Sequence, residues 1–207
     1  MGAGGGPARR ARERVETSLR GPWTLPNFIT LVRLAALPFF LLCIADGRFA
    51  LALGIFVAAG LSDGVDGFLA RRLDMKSALG AYLDPIADKL LLMSSYLFLA
   101  IPNYPARVKV PLWLAVMVLS RDFLILLVGL LLILTAGMKR FPPSWAGKVT
   151  TVTEIVTVLL VLWANVWTLP RELLLVAFGA TASVAVLSGF DYLHRVARNP
   201  EAPVPAR

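Results

Sequence analysis

The chain has 207 residues, of which 57% are hydrophobic and 16% charged, and its mean hydropathy is +0.72. Soluble domains of this length rarely exceed half apolar residues, so the composition argues against a water-soluble enzyme and indicates a membrane protein. The formal net charge of +8 would suit nucleic acid, but no basic groove interleaved with aromatic residues accompanies it. We therefore expect no nucleic-acid partner.

Three segments follow one another along the chain. Residues 1–22 are a basic tail with a Gly-rich start and an Arg/Glu-rich continuation, and we expect a short amphipathic segment near 8–20 that lies on the membrane surface. Residues 23–196 carry the apolar runs and form one predicted domain. Residues 197–207 are a Pro-rich tail for which no structure is predicted.

The apolar runs predict an all-α membrane protein with six transmembrane helices, because each run approaches the ~20 residues that cross the hydrocarbon layer. The predicted helices cover 27–45, 49–69, 80–101, 111–136, 145–165 and 169–193. Asp46-Gly47-Arg48 is predicted to form a tight outer turn, and residues 71–76 are predicted to form the cytoplasmic turn between the second and third helices.

The basic residues are distributed unevenly between the two predicted sides of the membrane. Fourteen lie on the side of the N-terminus, and the opposite side has Arg48, Arg107, Lys109 and Arg171. Basic loops stay in the cytoplasm, so both termini and the turn after the second helix are predicted to be cytoplasmic. In a bacterium this is the inner membrane. A basic face also attracts anionic lipids.

The first helix carries a polar pair close to its predicted cytoplasmic end. Thr30 and Arg33 are three residues apart and therefore share a face. A charge at this depth is costly, so Arg33 either faces protein or a polar cavity, or extends its head to the interface.

Four aspartates stand in an otherwise apolar region, in the stretch DGVDGFLARRLDMKSALGAYLDPIAD. Asp63 and Asp66 are three residues apart, and Asp84 and Asp88 are four apart, so on helices each pair lies within one turn. If a short turn joins the helices as an antiparallel pair, all four carboxylates converge. Mutual repulsion then requires a neutralising partner, and carboxylate oxygens suit Mg²⁺ or Mn²⁺. Two such ions form a template for displacement at phosphorus.

Small residues and one arginine accompany the aspartates. Gly67, Ala70 and Gly80 leave space for a ligand against the backbone. The guanidinium of Arg71 offers a fork of donors that suits a phosphate.

This stretch resembles the signature of the CDP-alcohol phosphatidyltransferases, D-x2-D-G-x2-A-R-x8-G-x3-D-x3-D. Every position is filled, by Asp63, Asp66, Gly67, Ala70, Arg71, Gly80, Asp84 and Asp88. The resemblance covers most of residues 25–195. It implies that an alcohol attacks the β-phosphorus of a CDP-linked lipid and releases CMP, at the cytoplasmic end of the helices. Members of the family are commonly homodimers, and we extend that expectation to this chain.

The resemblance also implies roles for individual residues. Asp63, Asp66 and Asp84 are expected to hold two divalent ions, and Asp88 is expected to complete that acidic set and act as the general base. A neighbouring cation would keep Asp88 ionised. The nucleotide and its phosphates are expected to border Gly67, Ala70, Arg71, Gly80 and Thr30, since P-N-x2-T-x2-R resembles the opening helix of members that make glycerophospholipids.

The acceptor alcohol is open between two glycerol compounds. Arg33, Arg121 and Lys148 are the candidate acceptor-binding residues, and the pair Arg121–Asp122 could instead be an interhelical ion pair that fixes packing. The main prediction is glycerol-3-phosphate, as in phosphatidylglycerophosphate synthases, and the alternative is phosphatidylglycerol, as in CMP-forming cardiolipin synthases. Thr150 replaces a lysine typical of the former, and Ser120-Arg121-Asp122 is similar to the latter.

Two other classes of membrane protein fit the sequence less well. Aromatic prenyltransferases also bind Mg²⁺ through aspartates, but their acidic motifs lie on helices far apart in sequence. Transporters with an acidic ion site usually show paired repeats and interrupted helices, which the sequence lacks. CMP release from CDP-diacylglycerol would separate either class from a phosphatidyltransferase.

Overall fold

The computed structural model describes residues 25–72, 78–136 and 145–198, with the side chains of 25–27, 63, 65–72, 78–85, 129–136, 193 and 195–198 outside the description. Within those ranges the secondary structure is entirely helical and confirms the six predicted helices. They are α1 (Leu25–Ala45), α2 (Phe49–Arg72), α3 (Ala78–Ala100), α4 (Leu112–Ala136), α5 (Trp145–Val166) and α6 (Arg171–Arg198).

Two predicted helix ends are wrong. Helix α2 continues through Arg72, three residues beyond the predicted residue 69, so Arg71 and Arg72 are helical and not part of a turn, and α6 extends five residues beyond the predicted residue 193. Hydropathy marks where an apolar run stops, whereas backbone hydrogen bonding continues until a helix breaker intervenes. No proline follows the start of α6 until Pro200.

The α1–α2 connection is a tight turn built on Gly47. Its φ is +72°, and the amides of Gly47 and Arg48 donate to the carbonyls of Ile44 (3.1 Å) and Cys43 (2.7 Å). These two bonds form a Schellman motif, in which a left-handed glycine ends the helix and satisfies its last carbonyls. The predicted Asp46-Gly47-Arg48 turn is confirmed.

The loop between α3 and α4 is held by one side chain of α5. Asn165 accepts a hydrogen bond from the Val108 amide through Oδ1 (3.1 Å), and its Nδ2 donates to the Val108 carbonyl (2.8 Å). The same Nδ2 donates to the carbonyl of Val161 within α5, also at 2.8 Å. Both backbone groups of Val108 are therefore satisfied in a segment without regular structure.

The chain divides into two compact units. The first consists of Met1–Phe40 and Ile55–Leu91, and in it the rings of Phe40 and Phe56 pack with centroids 5.8 Å apart. The second consists of Leu41–Gly54 and Leu92–Arg207, and in it α4 and α5 both pack against α6. The hydroxyls of Thr157 and Thr181 lie 2.8 Å apart and join α5 to α6.

Among the described residues, apolar side chains lie on the outer surface as well as in the core. Large apolar side chains are exposed, with Phe190, Val176 and Phe39 at 68%, 68% and 65%. The buried polar and charged residues, by contrast, are Thr30, Arg33, Ser95, Asp122, Thr150, Glu154, Thr157, Thr181 and Ser188. Such an outer surface is stable in contact with lipid hydrocarbon and not with water.

Within the described residues, three helices are long and apolar enough to cross a membrane. These spans are Phe28–Ala45, Trp145–Val166 and Arg171–Tyr192, and α2 contains the shorter apolar stretch Phe49–Ser62. The membrane character predicted from composition is supported, while the count of six spans remains a prediction.

Candidate active site

The aspartate motif lies on two helices. Asp63 and Asp66 belong to the last turns of α2, and Asp84 and Asp88 belong to the first half of α3, as the spacing predicted. Seven motif side chains lie outside the described residues, namely those of Asp63, Asp66, Gly67, Ala70, Arg71, Gly80 and Asp84. The convergence of the four carboxylates, and the roles given to these residues, stay predictions.

Asp88 is the one motif residue whose side chain is described, and it pairs with Arg33. The Arg33 Nη1 atom donates to Oδ1 of Asp88 at 2.6 Å. The Arg33 side chain is 3% exposed and the Asp88 side chain 42%. A short contact between opposite charges is about twice as strong as a neutral hydrogen bond. The cation expected beside Asp88 is thus supplied by α1.

The burial of the Arg33 side chain decides between its two predicted environments, the protein interior and the membrane interface. Arg33 is buried, at 6% exposure, and Thr30 one turn earlier on α1 is buried at 1%. An arginine that extended to the interface would expose its guanidinium, so that alternative is wrong. Arg33 faces the protein interior, as expected of a charged residue at this position.

A second charged cluster lies in the second unit, on α4 and α6. Arg121 Nη1 donates to Oδ1 of its neighbour Asp122 at 2.6 Å, and Arg121 Nη2 donates to the hydroxyl of Ser188. The side chains of Arg121 and Asp122 are 11% and 1% exposed. This ion pair joins two residues of one helix and not two helices, as the alternative predicted, and Arg121 contacts α6 through Ser188.

The third acceptor candidate, Lys148, lies in the first turn of α5. It is exposed, and its Nζ atom stands 5.1 Å from the ring centroid of Trp145, which is a cation–π distance. Thr150, the residue in place of the expected lysine, is fully buried. Its hydroxyl donates to the Ala146 carbonyl at 2.8 Å. This position therefore offers neither a cation nor an exposed hydroxyl to a ligand.

The sequence analysis assigned no role to two buried polar residues, Glu154 and Ser188. Glu154 is fully buried on α5, and the Tyr96 hydroxyl from α3 donates to its backbone carbonyl at 3.4 Å. Ser188 was not singled out at all, since a serine on an apolar helix carries no local signal. Only the α4–α6 contact shows that it orients Arg121.

Six helices in the described residues, with apolar outer faces and buried charged side chains, place the chain in the class of integral membrane proteins. The family model for CDP-alcohol phosphatidyltransferase matches residues 23–187, and the chain belongs to this family. The resemblance seen in the aspartate motif is thereby confirmed.

Three relatives of this chain carry three different names. The chain is 31% identical over 204 residues to cardiolipin synthase (CMP-forming) of Rattus norvegicus, with 90% of the chain and 66% of the relative covered. It is 32% identical over 188 residues to a probable phosphatidylglycerophosphate synthase of Mycobacterium tuberculosis, covering 84% and 82%. It is 30% identical over 195 residues to the CDP-diacylglycerol–glycerol-3-phosphate 3-phosphatidyltransferase of Bacillus subtilis, covering 84% and 95%. The chain thus spans just under two thirds of the rat protein.

Proposed function

We propose that this protein transfers the phosphatidyl group of CDP-diacylglycerol to a glycerol-containing alcohol and releases CMP. The observation that carries the proposal is the family match over residues 23–187, which includes the complete eight-residue motif. The exposure of Asp88 adds support, because the one motif carboxylate whose side chain is described is 42% exposed and accessible to a substrate.

The acidic residues fit a divalent metal site by their chemistry. Asp84 and Asp88 lie one turn apart on the continuous helix α3, and carboxylate oxygens are the ligands that Mg²⁺ and Mn²⁺ prefer. Asp63, Asp66 and Asp84 would hold two such ions, with Asp88 completing the acidic set. When bound, the ions would neutralise the diphosphate and stabilise charge on the transferred phosphoryl group.

The chain's own residues would perform the remaining steps. Asp88 accepts the proton of the acceptor hydroxyl as that oxygen forms a bond to the β-phosphorus, and the bond between the β-phosphorus and the bridging oxygen breaks to release CMP. Gly67, Ala70 and Gly80 leave space for the nucleotide, and Arg71 donates hydrogen bonds to its phosphates. Thr30 is 1% exposed and offers almost no surface to a ligand, so the nucleotide contact predicted for it is not part of this proposal. The lipid tails remain in the bilayer throughout.

Glycerol-3-phosphate is the proposed acceptor, and the relatives from Mycobacterium tuberculosis and Bacillus subtilis carry names that match it. Arg121 and Lys148 are the proposed contacts for its phosphate. The alternative acceptor is phosphatidylglycerol, which the name of the rat relative favours. One structural observation favours it too, since Thr150 is buried and bonded to Ala146. A phosphodiester with one negative charge needs fewer cations than a phosphate monoester carrying nearly two.

The deciding experiment offers each acceptor separately. Purified protein in lipid vesicles receives CDP-diacylglycerol and Mg²⁺ or Mn²⁺, with glycerol-3-phosphate or phosphatidylglycerol, and both CMP and the lipid product are measured. We expect CMP and phosphatidylglycerophosphate with the first acceptor. Cardiolipin formed only with the second establishes the alternative. Absence of CMP with both acceptors, in protein that is folded, contradicts the proposed function.

We further propose six spans in residues 23–196, between the membrane-associated tail 1–22 and the Pro-rich tail 197–207. Both termini and the active site would be cytoplasmic, in a bacterial inner membrane, and the chain would form a homodimer. The tryptophans of α5 support the span of that helix. Trp145 and Trp163 are exposed at 78% and 46%, and their separation along the helix axis is about 27 Å, close to the ~30 Å of the hydrocarbon layer.

The orientation can be tested by labelling with a membrane-impermeant maleimide. Cys43 is the only cysteine, so it is replaced by serine. In that background either Arg107→Cys, on the predicted outer side, or Lys139→Cys, on the predicted cytoplasmic side, is introduced. In intact cells only the variant at position 107 should be labelled from outside. Labelling at position 139 alone contradicts the proposed orientation.

A further inference from the structure

Arg33 and Asp88 form an ion pair in which the two side chains differ strongly in solvent exposure. Arg33 lies on α1 and Asp88 on α3, 55 residues apart, and both belong to the first unit. The arginine side chain is 3% exposed, whereas the aspartate side chain is 42% exposed. The guanidinium is therefore enclosed by protein, whereas the carboxylate to which it donates is partly exposed.

This burial argues against Arg33 as a direct ligand of the acceptor. A phosphate must reach the guanidinium to bind it, and a side chain at 3% exposure offers almost no surface for such contact. Burying a guanidinium is costly, and a charge in this setting is retained where a partner of opposite charge compensates it. Asp88 Oδ1, at 2.6 Å, is such a partner.

We propose that Arg33 is a positioning residue that acts on the acceptor through Asp88. Its Nη1–H bond to Oδ1 fixes the carboxylate relative to α1 and thereby directs it toward the hydroxyl that attacks the phosphorus. Thr30, buried one turn earlier on α1, belongs to the same enclosed face. The inference rests on the proposed function, and it assigns Arg33 a role other than acceptor binding. Misplacement of a reacting group by about 1 Å can cost roughly a hundredfold in rate.

The first test separates turnover from binding. Arg33→Gln removes the charge and the fork, and Arg33→Lys keeps the charge alone. We expect Arg33→Gln to lower kcat by about ten- to a hundredfold while the KM values for CDP-diacylglycerol and acceptor stay within about twofold, the pattern of an interaction made in the transition state. Arg33→Lys should recover part of the lost kcat. Arg107→Gln, an exposed arginine in the α3–α4 loop, is the matched control and should behave as wild type.

The second test is a double-mutant cycle with Asp88→Asn, read as radiolabelled CMP release. If Arg33 acts through Asp88, adding Arg33→Gln to Asp88→Asn should lower turnover by less than about threefold, because the residue it positions is already disabled. Losses that multiply would overturn the proposal. So would a rise of about tenfold in the acceptor KM at normal kcat, which is the behaviour of a ligand contact.

Separate measurements distinguish a loss of folding from a loss of activity. Thermal unfolding of each variant in detergent is compared with that of Arg107→Gln. If Arg33→Gln fails to fold, Arg33→Lys is used for the test. A kcat and KM equal to those of wild type in Arg33→Lys would contradict the proposal that the guanidinium positions Asp88. Failure of the proposed function appears differently, as wild-type protein that releases no CMP with either acceptor.

Discussion

The guanidinium of Arg121 on α4 donates a hydrogen bond to the hydroxyl of Ser188 on α6, 67 residues later in the chain. A second bond with the same separation, from the Tyr192 hydroxyl to the Ile125 carbonyl (3.4 Å), shows that α4 and α6 run alongside each other in one register. Asp122 holds the other terminal nitrogen of Arg121. The direction of the guanidinium is thus set from two sides.

We predict that Ser188→Ala raises the KM for the acceptor by about three- to tenfold and leaves kcat nearly unchanged. The substitution removes one hydrogen bond to a charged group, which is worth about 1.5–3 kcal/mol. Only the part of this energy that orients Arg121 would affect the binding of the acceptor. Initial rates of CMP release against acceptor concentration provide the measurement.

The matched control is Ser183→Ala on the same helix. Ser183 is exposed and donates only to the Gly179 carbonyl of its own helix, at 2.8 Å, so its loss should leave the acceptor KM unchanged. Equal effects of the two substitutions would show that Ser188 has no specific link to the acceptor.

Asp88→Asn should lower turnover by roughly 10²–10⁴, the usual contribution of a general base. The amide keeps an oxygen that can accept the bond from Arg33, so the variant should fold and still bind Mn²⁺, which paramagnetic resonance of the free ion can follow. Asp46→Asn, at the exposed turn after α1, is the control and should retain full activity. Near-normal turnover of Asp88→Asn would remove Asp88 from its proposed role.

Gly47→Ala should destabilise the protein by about 1–2 kcal/mol, because a side chain at positive φ strains the backbone. The added Cβ would also stand 3.0 Å from Cγ of Pro105, which must move. Gly54→Ala on α2 is the control, since nothing lies within 4 Å of its Cβ position, and a helical alanine is favoured by up to about 1 kcal/mol. Thermal unfolding in detergent should rank Gly47→Ala below wild type and Gly54→Ala at or above it.

Asn165→Ala should lower stability by about 1–3 kcal/mol, since it leaves the amide and carbonyl of Val108 without their side-chain partner. The exposed Asn103 in the same loop supplies the control Asn103→Ala, with unfolding close to wild type. Proteolysis of the α3–α4 loop should accelerate in the first variant alone. Unchanged proteolysis would show that Asn165 does not hold the loop.

The sequence predicted the six helices well because apolar runs and turn residues are local signals. The Gly47 turn is an example, since Asp-Gly after an apolar run already indicates a helix end. The prediction placed the ends of α2 and α6 too early, because each helix continues past the end of its apolar run. The same local character made the aspartate motif recognisable, since its eight residues stand at fixed spacing on two consecutive helices.

What the sequence determined on its own was therefore the chemistry: which helices exist, which carboxylates they carry, and to which family the chain belongs. Only the tertiary structure decided which distant side chains Arg33 and Arg121 contact. Arg33 donates to Asp88, 55 residues later, and Arg121 donates to Ser188, 67 residues later. Such pairings depend on how each helix is rotated and shifted against its neighbour. A rotation of one residue, about 100°, would direct either arginine elsewhere, and nothing in the local pattern fixes that rotation.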